Sequence, residues 1–113
     1  MNVYDNANEL ARAMRDSHEY KKVKEASAAL AKDENAKKMV DEFFQLNQEA
    51  EFARYQGKEP DKEVMDKIQR LYGVLSLNSD AMQYINSYMR FQMMLADITK
   101  SIQDVVKEAL GEK

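Results

Sequence analysis

Apolar residues recur along this chain every third or fourth position, and the polar ones fill the gaps, which is the signature of amphipathic helices. Ala7, Leu10, Ala11 and Met14 predict a first helix opened by Asp5, and Tyr20, Val23, Ser27 and Leu30 a second opened by Ser17. Asp33 introduces a third face, Ala36, Met39, Val40, Phe43, Leu46, Ala50 and Ala53, stopped by Gly57 as a C′ residue. After the loop Gly57-Lys58-Glu59-Pro60-Asp61, Pro60 is placed to open a fourth helix carrying Val64, Ile68, Leu71 and Leu75. Asn78 or Ser79 then caps a fifth that runs to about Leu110, before Gly111. The expectation is one all-α domain over residues 1–113, a bundle or hairpin array with helices near 5–16, 18–32, 34–56, 61–77 and 79–110. No internal repeat is visible.

The fifth helix departs from the single-stripe pattern. At 100° per residue, Tyr84, Tyr88, Phe91, Leu95, Ile98, Ile102, Val105, Val106 and Ala109 share one face. Met82, Ile85, Met89, Met93 and Ala96 form a second stripe, continued only by Lys100, Gln103 and Lys107. Between Asp80 and Lys100 the only charges are Arg90 and Asp97. A helix packed on one surface needs one apolar stripe, so two stripes imply two neighbours. At about 31 residues this helix is ~47 Å long, whereas a compact domain of this size is roughly 35 Å across. A second chain is the expected cover, most simply in a homo-oligomer such as an isologous dimer. The expected interface residues are Met82, Ile85, Tyr88, Met89, Phe91, Met93, Leu95, Ile98 and Ile102.

Composition agrees with helix and removes several chemistries. There are 113 residues with 3 Gly, 1 Pro and no Cys. Without cysteine there are no disulfides, thiol nucleophiles or cysteine-ligated clusters. His18 is the only histidine, and with lysine at position 22 no second ligand follows His18-Glu19 at i+4. Asp41, Glu42, Glu49 and Glu51 read as a solvated helix face rather than an acid–base pair. Four of eight methionines (Met82, Met89, Met93, Met94) cluster; thioethers can bind Cu(I), but packing at an adaptable interface is the stronger reading. No catalytic site, metal or cofactor is therefore expected. The net charge of −3 and the mixing of Lys21, Lys22, Lys24, Lys37 and Lys38 with acidic neighbours argue against nucleic acid as a partner. No signal peptide and no membrane span are expected, and the location expected is cytoplasmic.

Asn2-Val3-Tyr4-Asp5 with Leu10 and Ala13-Met14, Ser17-x-Glu19-Tyr20, Glu42-Phe43, Gly57-Lys58-Glu59-Pro60 and Leu95-Ala96-Asp97-Ile98 together resemble the YlbF/YmcA family of Firmicutes, in its YheA-like branch. The resemblance spans residues 2–106 and implies a helical fold that assembles as a dimer or higher oligomer. It also implies a non-enzymatic regulator of the kind that acts in competence, sporulation and biofilm development through a protein partner. An RNA-processing accessory with direct RNA contact is the alternative, since relatives affect a message-maturing endoribonuclease. Iron–sulfur clusters associated with those relatives do not transfer to a chain lacking cysteine.

Overall fold

The computed structural model describes residues 2–111 and contains five helices, with no strand among them. They are α1 (Val3–Asp16), α2 (His18–Leu30), α3 (Glu34–Tyr55), α4 (Lys62–Leu75) and α5 (Ser79–Ala109). The protein is all-α, with its longest helix last.

Helix ends follow local hydrogen-bonding chemistry. Asn2, not Asp5, caps α1: its side chain accepts from the Asp5 backbone N–H at 2.8 Å, so the helix starts earlier than the apolar pattern suggests. Ser17 breaks α1 from α2 and accepts from the Tyr20 N–H at 3.1 Å. The α3 terminus is a Schellman turn. Gly57, at φ 79°, donates to Arg54 C=O and Lys58 to Ala53 C=O, both at 2.9 Å. A left-handed residue there explains the glycine. Pro60 does not open α4; it lies two residues ahead, and Asp61 holds the cap position. The face of α2 also differs from expectation: Ala26 and Leu30 are buried, while Ser27 is exposed.

The chain divides into two compact units, residues 26–85 and the remainder on either side. In the first, α3 and α4 pack as an antiparallel pair. Phe43 meets Tyr72 (ring centroids 6.0 Å), and one turn from the loop Arg54 reaches the Met65 sulfur at 4.0 Å. The core consists of Leu30, Ala36, Val40, Leu75, Ala81 and Ile85, against which Met39, Phe43, Phe44, Met82 and Tyr84 pack.

This core is organised around two caps 45 residues apart. Asp33 caps α3 by accepting from the Ala36 N–H (3.1 Å), and Asn78 caps α5 by accepting from the Ala81 N–H (3.0 Å). Asn78 Nδ2 also donates to Asp33 Oδ2 at 3.4 Å, so the caps are joined. The turns before them match bond for bond: Asp33 N–H to Leu30 C=O and Asn78 N–H to Leu75 C=O are both 2.9 Å. The six core residues stand three before, three after and seven after each cap. Residues 30–40 and 75–85 are thus a structural repeat, correcting the reading of the sequence as repeat-free. Only Leu30/Leu75 and Ala36/Ala81 among these core positions remain identical, too few to be seen without the fold.

Leu75 has no exposed surface, so Leu75→Ala should cost roughly 2–5 kcal/mol. Loss of the cap in Asn78→Ala should cost about 1 kcal/mol. Urea unfolding followed by circular dichroism would measure both, and an unchanged midpoint for Leu75→Ala would contradict this account of the core.

Candidate interaction surface

The second unit comprises the residues up to Glu25 and those from Asn86 onward: α1, the start of α2 and most of α5. Its local order is set by Ser17, whose backbone and side chain both bond to Met14 C=O while its hydroxyl starts α2. Tyr20 on α2 then packs on Phe91 of α5, with ring centroids 6.4 Å apart and planes tilted by 52°. Beside this contact lies a shallow groove of about 380 Å³ lined by Glu19, Arg90, Met93, Met94, Asp97 and Ile98. Its lining combines thioether and aliphatic side chains with charged ones.

Every buried side chain among the described residues lies between Ala26 and Ile85. The second unit has apolar stripes but no buried side chain among its described residues. On α1, Val3 is 79% exposed and Leu10 37%, with only Ala11 and Met14 half-buried. On α5, the stripe that begins against the core at Tyr84 is half-buried at Tyr88, Phe91 and Ile98. Leu95 (37% exposed) lies between them, and beyond Ile98 the stripe is open at Ile102 (55%), Val105 (62%) and Val106.

The nine residues expected at an interface therefore fall into three groups. Ile85 is 3% exposed within the core, and Met82 packs on that same cluster. Ile85 is enclosed by the chain's own core, formed with residues of α2, α3 and α4, and Met82 is half-buried against it. Tyr88, Phe91 and Ile98 are half-buried within the second unit. Met89, Met93, Leu95 and Ile102 are exposed. The pattern in α5 showed two stripes but could not show where the chain's own cover ends. Glu19 and Met94, which join the groove, were not singled out for it: Glu19 reaches it from another helix, a long-range contact with no local signal.

The ion pairs among the described residues are local surface links. Ion pairs such as Lys37–Asp41 (3.2 Å) and Lys100–Asp104 (3.5 Å) are exposed i, i+4 links. Such pairs are worth a few tenths of a kcal/mol. Among the described residues no three His, Asp or Glu side chains gather as metal ligands. His18 is exposed at the start of α2.

The chain is all-helical, and among the described residues α1 and the far part of α5 leave apolar stripes exposed. Residues 3–107 match the family described as "Control of competence regulator ComK, YlbF/YmcA", and the chain belongs to that family. A UPF0342 protein of Caldicellulosiruptor saccharolyticus is 42% identical over 105 residues, covering 93% of this chain and 88% of the relative. Another, from Streptococcus sanguinis, is 33% identical over 109 residues, covering 96% and 97%. Among solved structures, Bacillus subtilis RicA, crystallised in complex with RicF, shares the fold with a TM-score of 0.58. It is 22% identical, and the match covers 96% of each chain.

With no cysteine and no ligand cluster, treatment with a chelator such as EDTA should leave the thermal midpoint unchanged. A fall of several degrees after chelation would reveal a metal that holds the fold.

Proposed function

We propose that this protein is a non-enzymatic, homo-oligomeric regulator that acts in the cytoplasm by binding another protein. The observation that carries the reading is the division of burial. Residues 26–85 contain all the buried side chains described, while α1 and the rest of α5 present apolar stripes with none. A soluble monomer rarely leaves so large a contiguous apolar surface open, whereas interaction surfaces do. The family's description as control of competence, and the capture of RicA with RicF, support a regulatory role exerted through protein contacts. The cytoplasmic reading accords with the fact that no described helix is long and apolar enough to cross a membrane.

Catalysis finds no support, because no nucleophile, base or metal set is assembled among the described residues. Direct RNA contact gains none either: Lys21, Lys22, Lys37 and Lys38 each have an acidic residue at i±3 or i±4, and Lys37 is paired with Asp41. The regulated process is expected to be of the competence, sporulation or biofilm kind.

The assembly is tested by light scattering at micromolar concentration, where the wild-type mass should be a multiple of 13.1 kDa. Ile102 is 55% exposed in the single chain, so Ile102→Asp should leave the monomer helical by circular dichroism. Within an assembled interface the same carboxylate would be stranded at a cost of several kcal/mol. The variant should therefore run at the mass of one chain. A monomeric wild-type protein would overturn the oligomeric reading.

A further inference from the structure

Sulfur chemistry in this chain belongs to methionine alone. There are eight methionines and no cysteine, so an oxidant that attacks sulfur meets only thioethers. Seven of the eight lie among the described residues, in unlike surroundings. Met39 and Met82 pack on the core cluster, the Met65 sulfur faces the Arg54 guanidinium at 4.0 Å, and Met14 and Met94 are half-buried. Of the seven, only Met89 and Met93 are exposed, at 57% and 67%. Susceptibility to oxidation follows exposure, so these two are the first that a small uncharged oxidant reaches.

Met89 and Met93 are also neighbours. Four residues apart on α5, they lie one above the other on one helix face, with Cβ atoms about 5–6 Å apart. Arg90 stands three residues before Met93 and lines the same groove. It is exposed and takes part in none of the ion pairs among the described residues. A guanidinium offers five N–H donors and no acceptor, whereas a sulfoxide oxygen accepts. Oxidation of Met93 would thus create an acceptor next to an unused donor.

Position also decides what a sulfoxide would do. The oxidised side chain is polar and chiral, and it disrupts the cores and methionine-rich interfaces in which it sits. At Met39 or Met82 it would loosen the folded cluster. At Met89 and Met93 of a single chain it would stand in solvent and leave the helix intact. What changes there is the surface. Of the second stripe's exposed residues Met89, Met93 and Ala96, only Ala96 would stay apolar.

We propose that Met89 and Met93 form a reversible oxidation site for hydroperoxides, and that their sulfoxide forms weaken assembly through this face of α5. The effect on assembly rests on the homo-oligomeric reading; the oxidation site does not. In the forward step a thioether lone pair attacks a peroxide oxygen, the O–O bond breaks as the S–O bond forms, and the displaced oxygen keeps both protons and leaves as water. Sulfur loses two electrons and the peroxide gains them. In the return step an external dithiol supplies two electrons and two protons. The sulfoxide oxygen leaves as water and the dithiol closes to a disulfide.

The test is a low dose of hydrogen peroxide on the native protein, with every methionine followed by peptide mass spectrometry. Met89 and Met93 should oxidise several-fold ahead of Met14, Met39, Met65, Met82 and Met94, and the gap should close in urea. A methionine sulfoxide reductase with dithiothreitol should return both to thioethers. Another of these methionines reacting as fast as the pair in the native protein, or failure of the reductase to restore them, would overturn the site. Light scattering and circular dichroism of the oxidised protein test the consequence. The dissociation constant of the assembly should rise about tenfold, as a polar group replaces an apolar one at the contact, with helical content unchanged. Met89→Leu/Met93→Leu keeps apolar, helix-favouring side chains without oxidisable sulfur, and its assembly should not respond to peroxide. Undiminished assembly of the oxidised protein, or an equal loss in the double variant, would overturn the effect on assembly. A wild-type chain that is monomeric before oxidation would refute the oligomeric reading and that effect together, while mass spectrometry still decides the oxidation site.

Discussion

The joined caps of Asp33 and Asn78 are the constraint on which the folded core depends. Each side chain satisfies a backbone N–H at the start of its own helix, a donor left without an intrahelical partner. Their mutual contact at 3.4 Å fixes the starts of α3 and α5 beside one another. With those starts set, a helical turn in either direction delivers a leucine before the cap and an alanine after it, then Val40 or Ile85 one turn further. Small alanines at the two first turns let the backbones approach, and the branched residues fill the space beyond. Two short segments with little sequence in common thus build one core from one geometric rule.

That rule explains what was legible in the sequence. The five helices were readable because an apolar face of period 3.6 and a capping side chain are both local features. Asp33, Ser17 and Gly57 do what their chemistry suggests. Asn2 shows the limit, since a helix end can move by several residues when a neighbouring side chain caps instead. The cap-to-cap contact, the repeat it organises and the burial of Ile85 depend on residues 45 or more apart in the chain, to which local periodicity is blind. The apolar excess of α5 was equally plain. Its partition into Met82 and Ile85, covered from within, and Leu95 and Ile102, left open, required the positions of α2 and α3.

The two halves of α5 therefore serve different ends with similar residues. Its first two turns complete a core in cis, through Ala81 and Ile85. The remainder continues an apolar stripe past the point where the chain can cover it. The proposed contact with another protein needs such a surface, and α5 carries it on a helix anchored at its other end by a cap and a core. The methionines suit this role, because thioether side chains adapt to more than one neighbour.

Confinement of all described buried side chains to residues 26–85 also bears on how the protein reaches its native state. Residues 26–85 build their buried cluster from side chains of a single chain. Under the proposed oligomeric reading, α1 and the far end of α5 would consolidate only on encounter with another chain, a second-order step that slows on dilution. In a cell, newly made chains would pass through a half-consolidated stage whose lifetime is governed by how many copies are present. Expression level would then set both the amount of protein and the fraction in its working form.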